Sequence, residues 1–226
     1  LAAVRAYPGR LIGFAVVNPA SPQAEAEIAR CAAEGLAGIG ELMPDGQGCP
    51  LDDVDVLAPT MEAARALGWP VLTHASEPVG HTYPGKGCPS LASAVQLARR
   101  VTETTLILAH WGGGLLFYEL MPEVQQVLRN TYYDTAASLY LYDKRIFALA
   151  AQICREKILF ATDYPLIRQE RFLQHVGGNL TFVSAGFEIK HFHQSVGSLA
   201  AERFGKAGYK TCRRVLSTFC SVAVQP

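Results

Sequence analysis

The chain has 226 residues, half of them hydrophobic, and 20 basic side chains balance 20 acidic ones. Zero net charge argues against a nucleic-acid or anionic-membrane surface as its main partner. No run approaches the ~20 consecutive apolar residues of a membrane span, so we expect no membrane partner either.

The six cysteines are scattered along the chain, without a C-x-x-C pair. That distribution favours reduced thiols over a disulfide framework or a zinc ribbon. The chain opens LAAVRAYPGR, which is not a basic-then-apolar leader, so we expect a cytoplasmic protein. Because no initiator Met is present, we also expect further residues upstream.

Short apolar segments alternate with helix-like segments. The predicted strands are, in chain order, LIGFAVV (11–17), AGIGELM (37–43), WPVLTHA (69–75), TLILAHW (105–111), TYYDTAA (131–137) and KILFATD (157–163). The predicted helices are 22–35, 53–68, 90–101 and 144–156, and the first two end on a glycine, as helices often do. Apolar strands alternating with helices predict a parallel sheet that is covered on both faces.

Two α/β folds satisfy this alternation, a doubly wound sheet and a (β/α)8 barrel. The G-x-G-x-x-G of a dinucleotide fold does not follow the first strand, and there is no P-loop. We therefore predict an α/β fold of the TIM-barrel type. We expect it to be incomplete, with about six βα units where a barrel has eight.

Polar side chains recur at the ends of the predicted strands. In a parallel barrel these ends lie at one face, where active sites are built. The residues are Asn18, Glu41, His74, His110, Asp134 and Asp163. Four of them, Glu41, His74, His110 and Asp163, have side chains that bind metals, and imidazoles with a carboxylate suit Zn²⁺ or a similar divalent ion.

Each of these residues also has a purely structural alternative. A histidine at a strand end is often only hydrogen-bonded in place, Asp163 before Tyr164-Pro165 could form a turn, and Glu41 could cap a loop. Asp134 could hold adjacent backbone through an Asx-type bond. The coincidence of several such residues at equivalent places favours a common site for His74, His110 and Asp163.

A divalent ion at such a site has a clear chemical use, because it lowers the pKa of bound water from ~15.7 towards ~7. A carboxylate such as Asp163 could accept the proton of that water and pass it to a leaving group. A histidine such as His110 could polarise a carbonyl or stabilise the charge that develops on it.

Four segments together resemble amidohydrolase-related family 2. They are THASEPVGHTYPGKG (73–87), LILAHWGGG (106–114), YYDTAAS (132–138) and ILFATDYPL (158–166). RLIGFAVVNP (10–19) and GIGELMPDGQG (38–48) resemble the third and fourth barrel strands of that family. The resemblance implies a TIM-barrel, metal-dependent hydrolase or decarboxylase, and it extends from residue 1 to about 178.

The resemblance also implies roles for individual residues. His74 matches the strand-5 metal ligand, His110 matches a strand-6 histidine that binds metal or activates substrate, and Asp163 matches a strand-8 ligand and general base. The loop after His74 is expected to contact substrate through Glu77 and His81, with His81 as a plain surface residue in the alternative. We count Trp111 with the substrate contacts.

Two departures from the family pattern affect these expectations. The H-x-H pair of the first family strand is absent, so we expect strands 1 and 2 to be missing, together with two metal ligands. Residues 1–178 would then form a partial barrel domain, and 179–226 a divergent C-terminal extension that is poorly ordered. His191 and His193 form an H-x-H in that extension, and we expect it to be incidental.

These observations predict a metal-dependent hydrolase that cleaves a C–N or C–O bond of a small molecule. The metal is expected to be Zn²⁺, with Mn²⁺ as the alternative, and a homo-oligomer is left open. Decarboxylation of an aromatic or enoic acid is the alternative reaction. An inactive remnant that only binds ligands is the other alternative, because the H-x-H pair is missing.

Overall fold

The computed structural model describes residues 1–8, 10–87 and 90–177. The predicted extension 179–226, with His191 and His193, lies outside the described residues. The described chain divides into two compact units. The first unit comprises residues 13–133, and the second comprises 1–12 and 134–177.

Helices and strands alternate along the described chain. The strands are β1 (Ile39–Leu42), β2 (Val71–Thr73), β3 (Leu106–Leu108), β4 (Thr131–Asp134) and β5 (Ile158–Leu159). The helices are α1 (Ala2–Ala6), α2 (Ala24–Ala33), α3 (Pro44–Gln47), α4 (Val54–Leu67), α5 (Leu91–Arg100), α6 (Ala109–Gly112), α7 (Pro122–Val127), α8 (Ser138–Leu141), α9 (Arg145–Cys154) and α10 (Gln169–Gly177). Two 3₁₀ helices span Leu115–Leu120 and Arg155–Lys157. The four predicted helices correspond to α2, α4, α5 and α9.

The sheet of the first unit is parallel, as the sequence predicts. Strand β2 pairs with β1 on one side and β3 on the other, and β3 pairs with β4. All three residues of β3 are buried, and neighbouring side chains of a strand point to opposite faces. Both faces of the sheet are therefore covered at β3, which explains its uninterrupted apolar sequence.

The predicted strand 11–17 forms only a single parallel bridge, between Ala15 and Ile39. Ala15 donates to the Gly38 carbonyl and accepts from Gly40, which gives this segment a short pairing with β1. On one side of Ala15 the pairing continues as far as Gly13, whose carbonyl accepts from Ala37 at 2.9 Å. On the other side the Val17 carbonyl accepts from the side chain of Gln47 at 2.9 Å. The prediction of a full strand at 11–17 is therefore wrong.

Helix ends follow the sequence signals closely. Gly68 adopts the left-handed conformation after α4, and its N–H donates to carbonyls of the last helical turn. Ser90 begins α5 by accepting a hydrogen bond from the N–H of Ala92. These caps satisfy backbone groups that a helix end leaves unpaired.

In the second unit the chain that follows β4 pairs with β5. The N–H of Thr135 donates to the Leu159 carbonyl at 3.0 Å, and its hydroxyl donates to the Ala161 carbonyl at 2.8 Å. Phe172 of α10 is fully buried and packs edge-to-face against Phe147 and Phe160. These aromatic contacts form the core of this unit.

Two expectations drawn from composition can be compared with the described residues. The described cysteines, Cys31, Cys49 and Cys154, are free thiols. Within the described ranges, no helix is both long and apolar enough to cross a membrane.

The core of the first unit predicts the effect of a truncation in α5. Leu97 is completely buried, so Leu97→Ala should lower the free energy of unfolding by about 2–5 kcal/mol through lost burial and a residual cavity. Leu67→Ala is the control, because Leu67 is 41% exposed and should change it by about 0.5 kcal/mol or less. Urea unfolding followed by the fluorescence of Trp69 and Trp111, the only tryptophans and both buried in this unit, measures the difference. Equal losses in the two variants would contradict this account of the core.

Candidate metal centre

The carboxyl ends of β1, β2 and β3 bring three metal-binding side chains together. Glu41 lies within β1, His74 directly follows β2, and His110 lies two residues beyond β3. One ligand-type atom from each of the three residues lies within 4.8 Å of the other two. Because the three strands are parallel neighbours, their ends meet at one edge of the sheet and the side chains converge there.

The imidazole of His74 is held on both of its nitrogens. Nδ1 lies 3.0 Å from Glu41 Oε1, and Nε2 lies 3.0 Å from the hydroxyl oxygen of Ser76. The backbone of His74 is fixed as well, since its N–H donates to the Leu42 carbonyl at 2.8 Å. The ring orientation of His74 is therefore defined by contacts with two neighbouring segments.

His110 is the third residue of the cluster, and its backbone is left-handed, with φ of 55°. Its Nε2 lies 3.9 Å from Glu41 Oε1, and its ring meets the His74 ring edge-to-face at 4.8 Å between centroids. The side chains of His110, His74 and Glu41 are 6%, 11% and 22% exposed. The cluster is thus largely shielded from solvent. In such a shielded place, charged groups interact more strongly than they do at the surface.

A run of left-handed residues turns the chain after β3. His110 and Trp111 have φ values of 55° and 61°, and Gly112, Gly113 and Gly114 continue at positive φ. Residues that carry a side chain rarely adopt positive φ, whereas glycine, which has no Cβ, adopts it without steric cost. At Gly113 the backbone also approaches the Ser76 carbonyl so closely that a Cβ there would overlap it.

A cavity of about 300 Å³ lies beside His74. Its volume is at the lower end of the range for small-molecule sites, roughly 300–1,000 Å³. Part of its wall is the loop after His74, in which Lys86 Nζ donates to the carbonyls of Val79 at 2.7 Å and His81 at 2.9 Å. The lining residues are Met43, Pro44, Asp45, Gly46, His74, Gly85, Lys86 and Gly87.

The predicted substrate contacts have different environments. Glu77 accepts a hydrogen bond from the Tyr83 hydroxyl on Oε2 at 3.3 Å, while its buried Oε1 accepts none from the described residues. His81 is exposed on the loop, with its ring 5.6 Å from that of Tyr83. Trp111 is fully buried. The role of each of these residues stays a prediction.

Asp163 belongs to the second unit, so its predicted role as ligand and base is not tested by the cluster in the first. It lies four residues beyond the end of β5, has φ of 63°, and its backbone carbonyl accepts a hydrogen bond from the N–H of Ile167 at 3.2 Å.

The carboxylate of Asp134 accepts a hydrogen bond from the N–H of Ala136 at 2.9 Å, which confirms the predicted Asx-type bond to adjacent backbone. Asn18 similarly accepts from the N–H of Ala20 in a turn.

Sequence reasoning named Glu41 among four metal-binding candidates, and the structure gives it the contact with His74. It missed Ser76, which is fully buried and bonds the other nitrogen of that ring. The spacing H-x-S, with the hydroxyl two residues after the histidine, was the available signal.

A cysteine nucleophile does not fit the thiols buried in this unit. Burial is the main cause that raises the pKa of Cys49, and Asp45 and Asp53 raise it further. Burial likewise raises the pKa of Cys31, and its hydrogen bond to Glu27 adds to the shift. Since the thiolate is the reactive form, neither thiol is activated near neutral pH.

The fold and the cluster together place this chain among α/β proteins that have a candidate metal centre at the carboxyl ends of parallel strands. A family model described as Amidohydrolase matches residues 1–179. The chain belongs to this family, as the resemblance to amidohydrolase-related family 2 predicts. Members of this family depend on divalent metals, and the cluster of Glu41, His74 and His110 is a candidate binding site for such a metal.

Solved structures share the fold. A Staphylococcus aureus protein provisionally described as an amidohydrolase is 25% identical, with a TM-score of 0.58 over 77% of this chain and 70% of that one. Dihydroxybenzoic acid decarboxylase from Polaromonas sp. JS666, with bound manganese and 2-nitroresorcinol, is 19% identical, with a TM-score of 0.57 over 76% of this chain and 64% of that one. An uncharacterized TIM-barrel protein from Bordetella bronchiseptica is 17% identical, with a TM-score of 0.53 over 83% and 71%.

These likenesses confirm the predicted TIM-barrel type of the fold. The chain spans 64% of the length of the Polaromonas enzyme and 70% of the Staphylococcus protein. No curated protein matches it in sequence.

The close approach at Gly113 predicts a strong effect of a single methyl group. Gly113→Ala should be more destabilising than Gly48→Ala by roughly 1–3 kcal/mol. A Cβ added at Gly113 would overlap the backbone of Ser76, whereas a Cβ added at Gly48 would meet no atom within 4 Å. The two glycines are well matched, since each follows a short helical turn, with φ of 61° and 65°. Urea unfolding of both variants measures the difference. If they prove equally stable, the turn after β3 does not pack against Ser76 as described.

Proposed function

We propose that this protein is a metal-dependent enzyme that hydrolyses a C–N or C–O bond of a small molecule. The observation that carries the proposal is the convergence of Glu41, His74 and His110 at the ends of three parallel strands. Each of these residues alone has an ordinary structural explanation. Three ligand-type side chains converging in a largely buried place are better explained by a bound cation.

The chemistry of the three donors fits a divalent metal. Two imidazoles and a carboxylate are the ligand types of Zn²⁺ and related ions, which bind them at about 2.0–2.2 Å. Such bond lengths require ligand atoms roughly 3.4 Å apart in a tetrahedral site. The observed limit of 4.8 Å among the three atoms is close enough for side-chain adjustments to meet that requirement. We propose Zn²⁺, with Mn²⁺ as the alternative because the Polaromonas enzyme holds manganese.

The ion would supply a water molecule whose pKa is lowered towards ~7. Glu41 Oε1 lies 3.0 Å from His74 Nδ1 and 3.9 Å from His110 Nε2, so the carboxylate and the two rings would hold the ion between them. His110 would polarise the substrate carbonyl, a role that its 6% side-chain exposure favours by excluding competing water. Asp163 is carried over from the family resemblance as further ligand and general base.

Glu77 is the best supported of the proposed substrate contacts. Its Oε1 is buried and accepts no hydrogen bond among the described residues, and a carboxylate oxygen in that condition is costly. A hydroxyl or amide N–H of the substrate would satisfy it. We keep His81 and Trp111 as further proposed contacts, Trp111 because it follows His110 directly.

Decarboxylation of an aromatic or enoic acid is the second candidate, favoured by the likeness to the Polaromonas dihydroxybenzoic acid decarboxylase. An inactive protein that only binds ligands is the third. We further propose a cytoplasmic location, no nucleic-acid or membrane partner, and a homo-oligomer as one arrangement to be tested by its mass in solution. The balance of 20 basic and 20 acidic residues supports the partner proposal.

The metal proposal predicts stoichiometric binding that depends on the cluster. Purified protein dialysed against Zn²⁺ or Mn²⁺ should retain about one ion per chain, measured by elemental mass spectrometry. His74→Ala and Glu41→Ala should weaken binding by at least about tenfold, because each removes one of the three proposed donors. His175→Ala is the control, since this exposed histidine lies on α10 of the second unit. Retention of metal by His74→Ala at wild-type affinity would rule the cluster out.

The two reactions differ in their products. Metal-loaded protein should release 4-nitrophenol from its acetate ester or 4-nitroaniline from its acetanilide, and His110→Ala should lower the rate by roughly 10²–10³-fold through lost carbonyl polarisation. A decarboxylase would instead convert 2,6-dihydroxybenzoate to resorcinol and CO₂, which chromatography detects. Formation of resorcinol without hydrolysis of either probe would replace the leading proposal with the second one.

A further inference from the structure

The side chain of Tyr133 lies inside the turn that follows β3. Tyr133 belongs to β4 and is paired in register with Leu108, the last residue of β3. Its ring is fully buried and lies against Gly112, where an added Cβ would be 2.9 Å from a ring carbon. The Tyr133 hydroxyl donates to Glu119 Oε1 at 2.8 Å. The turn and the 3₁₀ helix after it are therefore wrapped around this one side chain.

Glu119 is buried in a segment whose apolar neighbours are exposed. Its side chain lies in the 3₁₀ helix 115–120, in which Phe117 and Leu120 face solvent while Glu119 is only 3% exposed. This arrangement reverses the usual distribution of apolar and charged side chains. A carboxyl group so deeply buried is stable only where hydrogen-bond donors reach it. The hydroxyl of Tyr133 is such a donor, and its bond holds the helix inward.

The turn connects the position of this helix to His110. The His110 carbonyl accepts from the N–H of Gly113 at 3.1 Å, and the Gly114 carbonyl accepts from the N–H of Phe117 at 3.2 Å. These bonds join His110 to the 3₁₀ helix through consecutive tight turns. At the other end of the turn, His110 Nε2 lies 3.9 Å from Glu41 Oε1. A shift of the 3₁₀ helix would therefore change the direction in which the His110 ring points.

We propose that Tyr133 and Glu119 are positioning residues, which hold the turn 110–114 in the conformation that directs the His110 side chain towards Glu41. The Tyr133 ring fills the inside of the turn, and the hydrogen bond to Glu119 fixes its far end. Without that bond the buried Glu119 oxygen loses a donor, and a movement of the 3₁₀ helix towards water relieves the loss. The consequence for metal binding rests on the proposed function, whereas the position of His110 does not.

The first test measures the accessibility of His110 in the metal-free protein. Diethyl pyrocarbonate modifies imidazoles that solvent reaches, and the tryptic peptide 101–129 contains His110 as its only histidine, so mass spectrometry of this peptide gives the rate. Tyr133→Phe removes only the hydroxyl and should speed modification of His110 by at least about threefold, because the turn opens more often. Modification of the exposed His81 calibrates the reagent.

A second variant and a matched control accompany this measurement. Glu119→Leu breaks the same hydrogen bond from its other side and should have the same effect, so either folded variant tests the proposal. Tyr132→Phe is the control, because it removes a hydroxyl from the adjacent residue of β4, whose side chain points to the opposite face of the sheet. A wild-type rate at His110 in a folded Tyr133→Phe or Glu119→Leu overturns the proposal, and so does an equal increase in the control.

The second test follows the effect to the metal. Tyr133→Phe should weaken Mn²⁺ binding by roughly three- to tenfold, because residues that orient a ligand contribute to metal affinity. In a His110→Ala background the same substitution should change Mn²⁺ affinity by less than about 1.5-fold, since it acts through the ring that has been removed. An equal loss of affinity in both backgrounds is the result of a general loosening of the first unit, and it overturns the proposal.

The outcomes separate this inference from the proposed function. Failure of the wild type to bind Mn²⁺ or Zn²⁺ removes the proposed metal site but not the positioning of His110, which the modification rates measure without metal. Unchanged modification rates in the folded variants, together with tight metal binding by the wild type, overturn the inference and leave the metal site intact.

Discussion

The hydrogen bond from the backbone of His74 to the carbonyl of Leu42 is the constraint on which the candidate site depends. It continues the pairing of β2 with β1 by one residue beyond the end of β2. Because Glu41 precedes Leu42 directly, this register places its carboxylate beside the imidazole of His74. A shift of one residue would turn one of the two side chains to the opposite face of the sheet. Strand pairing, rather than side-chain attraction, therefore selects which groups meet.

The turn after β3 meets a different requirement. His110 has to leave the strand and return towards Glu41 within two residues, which an extended backbone cannot do. Positive φ at His110 and Trp111 achieves this at a conformational cost of roughly 1–2 kcal/mol per residue. Burial of Trp111, whose side chain is fully enclosed, offsets part of that cost. Packing thus maintains a backbone conformation that the local sequence alone would disfavour.

Much of the fold could be predicted because it depends on local patterns. The apolar run of β3 and the glycine that ends α4 are properties of a few neighbouring residues. The end of the pairing at Val17 could not be predicted, because the Val17 carbonyl accepts instead from a side chain thirty positions away, that of Gln47. The convergence of His74 and His110 followed from the parallel order of the strands. Ser76 was missed because buried hydroxyls are common and their partners are set by tertiary structure.

The candidate site divides its tasks between rigid and adjustable parts. Glu41 and His74 are fixed by the pairing of β1 with β2, so the geometry of these candidate ligands depends little on the sequence of the loops. The cavity wall is formed by a loop whose shape depends on a few of its own contacts, chiefly those of Lys86. Substitutions in that loop can alter the volume and polarity of the cavity without displacing the strand ends. The loop can for this reason vary in sequence while the strand ends keep Glu41 and His74 in place, so the candidate site separates the residues that could hold an ion from those that shape its cavity.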